Sequence, residues 1–406
     1  IGGKTKDLVR ESGSLYFYFA TSPNQFGNLA YVELLTRVFG TKGILIAAPV
    51  LNVLLLVFSY ASILKTTGRL FRDNRVTLLA LLLLCVSFQP LLLCTAIDAG
   101  VLAAALTVWA MGRIVLYMQY GKKASLVWGA VFAVLAAALS PVGRAAAVAL
   151  ALMIGLYVLK HKKWFPAITA LVLLAVSLLA PVGMRLIYQA RLETDFGSGL
   201  PAVVWKAAES ENGTSVSREG ARAYVDALRE EYDLDFSAYA GQAKADLTES
   251  AEEQLAPAAR LFRRLNSEWN EPTFASVWSS GAFEPFGERS NYAERIYEAS
   301  REGEGLNGFF AQSLTLLYLG AFLAFMVFIK KRSTEQMVLP LIVLTGVLSL
   351  AGYGAETPQT VRLLPLLCPL AAYGLLSFGL DLTVHLTRPE TSWEEAKSGR
   401  RRRNVK

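Results

Sequence analysis

Residues 164–196 read WFPAITALVLLAVSLLAPVGMRLIYQARLETDF, and the change of character inside this stretch decides the fold. Up to Met184 it is an apolar run. At 1.5 Å per helical residue it is long enough to cross a hydrocarbon core of about 30 Å. From Arg185 the chain turns polar and stays so to about residue 306. In 185–306 Asp and Glu outnumber Lys and Arg by 22 to 13, a balance of −9, whereas the whole chain carries +7. An acidic insert is therefore set between two apolar blocks that, with the chain ends, carry +16.

The chain has 406 residues, 53% of them hydrophobic, with a mean hydropathy of +0.38. That excludes a string of ordinary soluble domains and predicts an all-α, polytopic helical membrane protein. Apolar runs place spans at 43–64, 76–92, 98–118, 124–140, 143–159 and 164–182, then at 308–329, 335–352 and 361–384. That makes about nine spans, with the insert as a helical module on the outer face. The expected organisation is an outer loop with an interfacial helix (1–42), a bundle of about six spans (43–184), the insert (185–306), a bundle of about three spans (307–384) and a basic tail (385–406). The chain starts on Ile1 within polar sequence, which predicts a lost N-terminal part holding one more span.

The basic residues set an orientation. Lys65, Arg69, Arg72 and Arg75 fill one loop, Lys122 and Lys123 another, and Lys160, Lys162 and Lys163 a third. Lys330, Lys331 and Arg332 follow, and Arg400–Arg403 end the series. If all nine segments cross, these fall on one side, which the positive-inside rule makes cytoplasmic. The insert is then extracytoplasmic and the tail cytoplasmic. Residues 26–39, too short to span, are expected to lie in the interface, bracketed by Gly40 and Gly43. Within the insert, helical patterns occupy about 218–232, 240–255 and 257–268.

Several chemistries have no basis in this sequence. Cys85, Cys94 and Cys368 lie in apolar runs, with neither a disulfide framework nor zinc spacing. His161 and His385 lie in basic, loop-like contexts. There is no Gly-rich phosphate loop and no internal repeat. The basic tail reads as a topology anchor, so no nucleic-acid partner is expected. A transporter would show paired repeats and midplane charges, which this chain lacks.

Ionisable residues at span ends are the functional signal, because charge near the bilayer centre costs a few kcal/mol. Glu33, Asp98, Arg144, Glu356 and Arg362 all fall near the outer surface on this topology. They pair structurally, as Asp98–Arg144 or Glu356–Arg362, or they line a cavity in which arginines hold phosphate oxygens and a carboxylate takes a proton. Asn52 and Gln89, polar groups inside apolar runs, are expected to be interhelical hydrogen-bond partners. Arg113 and Asp381, near cytoplasmic ends, are expected to be structural.

An ordered set of short motifs adds to this. Ser22-Pro23-Asn24-Gln25-Phe26-Gly27 is followed by Phe39-Gly40, Leu51-Asn52-Val53, Phe88-Gln89-Pro90 and Gly199-Leu200-Pro201. Then come Glu268-Trp269-Asn270-Glu271-Pro272-Thr273-Phe274, Leu339-Pro340-Leu341 and Pro369-Leu370-Ala371-Ala372-Tyr373-Gly374-Leu375. In this order the set resembles bacterial multi-span glycosyltransferases of the GT-C superfamily, of the family 39, protein-mannosyltransferase-like kind. The chain departs from the pattern at Ala96-Ile97-Asp98, Pro141-Val142-Gly143-Arg144 and Gly354-Ala355-Glu356-Thr357.

The resemblance implies transfer of a sugar from a polyprenyl-phosphate donor to an envelope polysaccharide, lipid or protein at the outer face of the cell membrane. It implies Arg144 and Arg362 on the donor phosphate, Asp98 and Glu356 as orienting groups, and Trp269 with Glu271 on the acceptor side. Pro23, Asn24 and Gln25 carry the opening motif. The family's catalytic acid lies in the first outer loop, where Asp7, Glu11 and Glu33 are the acids present, or else upstream of Ile1. The scheme requires no cofactor. A divalent metal is compatible with it, but no metal site is indicated. The departures also admit a second expectation: a catalytically inactive scaffold that binds an envelope partner through 185–306.

Overall fold

The structure is a computed structural model that describes residues 25–193, 306–330, 335–353 and 358–379, with isolated positions between 227 and 269. The insert's expected helices and the basic tail lie outside the described residues. So do Asp7, Glu11, Pro23, Asn24, Glu271, Glu356 and Asp381. What is described is all-α, with no strand among the described residues.

Each of the nine apolar runs is helical. The first helix, α1 (Phe26–Phe71), joins the expected interfacial segment to the first span in one 46-residue element kinked at Gly40, whose φ of 74° only glycine adopts cheaply. Phe26, Tyr31 and Leu35 of its first leg are buried, while Leu34, Val38 and Phe39 are exposed. The second leg, from residue 41 on, runs roughly 46 Å, longer than a hydrocarbon core. Its last turns carry Lys65 and Arg69 past the apolar run.

The expected span 76–92 is broken. Helix α2 (Asn74–Val86) ends where the ring of Pro90 would meet the carbonyl four residues back, at Val86. The chain bends by 48° into α3 (Gln89–Leu92) and a 3₁₀ turn (Leu93–Thr95). Then come α4 (Ala99–Tyr120), α5 (Lys123–Leu139), α6 (Pro141–His161) and α7 (Trp164–Leu192). Beyond the insert lie α8 (Leu306–Lys330), α9 (Val338–Tyr353), α10 (Pro358–Val361) and α11 (Leu364–Gly379).

Among the described residues five helices are long and apolar enough to cross a membrane: α1, α4, α6, α7 and α8. The bent pair α2–α3 makes a sixth if it counts as one span. Helix α5 has the 17 residues of its expected span, and the described parts of α9 and α11 have 16 residues each. The first part of α11 is packed inside the bundle, since every residue from Thr360 to Gly374 is buried. The outside of the bundle is the reverse. Ile168, Leu171, Leu178, Leu179 and Ile187 of α7 are all exposed, an apolar face far beyond what water tolerates. These features mark a membrane protein.

One core joins the two apolar blocks. Helix α4 packs on α5 and α1, α6 on α7 and α9, and α11 on α8 and α2. Tyr373 of α11 is stacked between Phe71 of α1 and Phe328 of α8, with ring centroids 4.6 and 5.3 Å away. The α8–α11 crossing is the closest sort a bilayer protein makes. A methyl on Gly374 would fall on the backbone of Gly320 and Ala324, and one on Gly320 would fall on Ala371. With no hydrophobic drive between helices in lipid, such small-residue contacts supply much of the association.

Polar contacts gather the loop ends. Gln119 donates to the carbonyl of Arg69 (3.3 Å) and to Glu335 (3.2 Å), and Gln336 donates to the carbonyl of Leu70 (3.1 Å). These satisfy carbonyls that the C-terminus of α1 leaves open. Tyr157 packs on Tyr117 and His161, with the Lys163 ammonium over its ring. The basic loops after α1, α4 and α6 thus meet at one end of the bundle.

Replacing Gly374 with Leu should destabilise the protein by about 3 kcal/mol or more, because backbone occupies the space on both sides. The Gly183→Ala change in α7, where no atom lies within 4 Å of the added methyl, should stay within about 0.5 kcal/mol. Thermal unfolding of the detergent-purified protein measures both.

Candidate functional site

The end of the bundle opposite the basic loops is organised by the break between α3 and α4. From Ala96 to Asp98 the backbone leaves helical geometry, so its carbonyls and amides need partners that no helix supplies. Helix α1 supplies them from two positions, Asn52 and Asn28. Asn52, fully buried, donates its amide to the carbonyls of Cys94 (3.1 Å) and Ala96 (2.9 Å). Its own oxygen receives the Tyr31 hydroxyl at 3.5 Å, and Asn28 accepts from the amide of Ala99 at 2.9 Å. The expected role of Asn52 is met.

Asp98 sits just outside α4 as its N-cap. One carboxylate oxygen accepts from the amide of Gly100 at 2.8 Å, a geometry that also favours negative charge at the helix start. The other oxygen receives the guanidinium of Arg362, which lies in the two-residue turn between α10 and α11. This corrects the first pairing considered from the sequence, since Asp98 pairs with Arg362 rather than with Arg144, while Glu356 of the second lies outside the described residues. The Arg362 guanidinium lies flat on Gly100, and any side chain there would occupy its position.

The two partners differ in exposure. The Arg362 side chain is 5% exposed and that of Asp98 is 31% exposed, so a solute meets the carboxylate first. Arg362 also forms the polar end of an apolar crevice walled by Leu56, Tyr60, Pro90, Ala104 and Pro365. The crevice encloses about 30 Å³, room for a water or two. A buried fork of donors at the mouth of an apolar crevice can hold a phosphate or carboxylate oxygen, with the adjacent carboxylate fixing its orientation.

The other candidates are elsewhere. Arg144, half-buried in the first turn of α6, does not line the crevice. Glu33 takes Arg191 at 2.6 Å and the Tyr188 hydroxyl at 3.1 Å, tying the first leg of α1 to the end of α7, where Phe26 stacks on Tyr188. Trp269 is packed on α8, with the Tyr318 hydroxyl donating to its carbonyl at 2.7 Å. Gln25 is the residue before α1 and makes no side-chain cap there. Among the described residues no group of three or more His, Cys, Asp or Glu could hold a metal ion. Sequence reasoning passed over Asn28 and Tyr31. They stand three and six residues past Gln25, on the face of α1 that reaches Asn52, and that spacing was the available signal. No protein-family model matches the chain, and no curated protein matches its sequence.

Asp98→Asn should keep the cap, because Asn caps as well as Asp, but it removes the carboxylate charge that faces a buried guanidinium. It should cost about 3 kcal/mol, the low end for breaking a buried pair, since Asp98 is partly exposed. The double change Asp98→Asn, Arg362→Met should recover most of that loss. Thermal unfolding of the three proteins tests this, and equal losses in single and double variants would count against the pair.

Proposed function

We propose that this protein is an integral-membrane glycosyltransferase. It moves a sugar from a polyprenyl-phosphate donor to an envelope acceptor at the outer face of the cell membrane. The observation that carries the reading is the Arg362 guanidinium, buried at the end of an apolar crevice and faced by Asp98. The ordered motifs from Gln25 to Gly374 support it, as does the sorting of the basic loops to the far end of the bundle.

In this reading the bond between the anomeric carbon and the phosphate oxygen breaks with oxocarbenium character, as in glycoside hydrolysis. A bond forms to the acceptor hydroxyl oxygen, whose proton passes to a carboxylate, and polyprenyl phosphate leaves. Arg362 holds the departing phosphate, where negative charge accumulates. Asp98 orients that guanidinium. Arg144 and Glu356 serve the same outer surface, and Trp269 and Glu271 face the acceptor. The multi-pass topology of about nine spans, the extracytoplasmic insert and the cytoplasmic tail belong to this proposal.

One observation favours a second reading. Asp98 engages both its oxygens, in the cap and in the ion pair, and can serve as a structural clasp alone. The protein would then be a GT-C-like scaffold that presents residues 185–306 to an envelope partner.

The experiment is transfer from a radiolabelled prenyl-phosphate hexose to envelope extract by the full-length protein in proteoliposomes. Arg362→Gln should lower transfer by roughly a hundredfold, the scale of one lost charge-stabilising donor. Asp98→Asn, Arg362→Met should be as inactive while remaining folded, which separates chemistry from stability. Wild-type-level transfer by either variant would remove the site. A wild-type protein that transfers nothing yet captures an envelope component through the insert would favour the scaffold.

A further inference from the structure

The basic end of the bundle contains a feature that the transfer scheme does not use. Between α1, α4 and α5 there is an open groove of about 560 Å³. Its walls are Phe58, Trp109 and Phe132, with Trp109 and Phe132 edge to face at 6.0 Å. Lys65, Arg69 and Arg113 line it together with the hydroxyls of Ser62 and Thr66. No acid lines the groove, and among the described residues none of these three cations forms an ion pair. Of the acids at the same end, Glu335 accepts from Gln119 and Asp73 from the backbone amide of Arg75.

Three cations sharing one concavity repel one another, and each would lower that cost with an anion. Arg113 lies about two turns inside the end of α4, roughly 10 Å deep, whereas Lys65 and Arg69 ride on the last turns of α1. Charge thus extends down the wall of a groove that is otherwise aromatic. Long basic side chains beside apolar surface reach for the headgroup level. The complement is an amphiphile with an anionic head and an apolar tail.

We propose that this groove is a binding site for an anionic phospholipid of the adjoining leaflet. Its phosphate is held by Lys65, Arg69 and Arg113, and its chain lies along Phe58, Trp109 and Phe132. Basic pockets between membrane helices on the basic-loop side are where anionic headgroups bind. The site lies at the end of the bundle away from Asp98 and Arg362, so it stands whether or not the transfer scheme holds.

The test is native mass spectrometry of the full-length protein, counting retained phosphatidylglycerol against phosphatidylcholine. Wild type should retain phosphatidylglycerol in preference. The triple variant Lys65→Gln, Arg69→Gln, Arg113→Gln should retain roughly tenfold less. Ala61→Trp fills the groove but keeps all three charges, and it should lose the lipid as well. A control with equal charge loss, Lys122→Gln, Lys123→Gln, Lys160→Gln, should retain it. Equal retention by wild type and the triple variant, or no preference over phosphatidylcholine, would overturn the site. So would loss in the control, which would mean diffuse charge. Displacement of the lipid by millimolar inorganic phosphate would equally overturn it, since the groove would then take a free anion.

Discussion

The break between α3 and α4 imposes the constraint on which the architecture of the end away from the basic loops depends. Non-helical backbone inside an apolar bundle is tolerated only if its polar groups find partners within the protein. Asn52 answers for two carbonyls, Asn28 for one amide, and Asp98 for another. All but one of these bonds come from α1, so neither leg of that helix can slide or rotate without stranding some of them. Once Asp98 is fixed as a cap, its second oxygen has one direction left, and Arg362 fills it from a turn 264 residues further along. The ion pair is thus downstream of a hydrogen-bonding problem created by the non-helical backbone at Ala96–Asp98 and solved by α1.

That order of cause explains what the sequence could and could not convey. Apolar runs near 20 residues dictate helices because hydrocarbon leaves the backbone no other partner, so the nine helical segments were legible. The kink at Gly40 was legible as a boundary. Asn52 stood out because a carboxamide in an apolar run needs a reason to be there. The break at Pro90 was present in the residues, but the apolar run through it argued for a continuous span, and hydropathy does not register a 48° bend. The apolar runs of α5, α9 and α11 were legible as helices, but burial in protein and burial in lipid select the same side chains, so hydropathy does not separate the two.

The partner of Asp98 was not legible for a different reason. Five ionisable groups share the outer end on the expected topology, and depth alone cannot say which meet. Rotation about each helix axis decides that, and rotation is set by contacts such as Gly320 against Ala371 and Gly374 against Ala324. The glycine opposite the guanidinium, Gly100, carries the only local hint, since a flat donor fork needs a flat surface to lie on. The groove beside Lys65 was hidden in the same way. Lys65, Arg69 and Arg113 each read as part of a topology signal or as structural, and only the approach of α4 to α1 makes one concavity of them.

The two ends of the bundle therefore use the same charge differently. At the end away from the basic loops a guanidinium is sealed behind a carboxylate, and on the proposed reading an incoming phosphate exchanges with Asp98. Exchange has a chemical consequence on the proposed reading. Each time Arg362 transfers its bond from Asp98 to a phosphate oxygen, a carboxylate is released beside that phosphate without its counter-charge. The couple at the crevice mouth would in that way respond to bound phosphate, with Asp98 orienting the guanidinium until the donor arrives. Lysine could not substitute at 362, because only a planar fork lies flat on Gly100 while reaching Asp98.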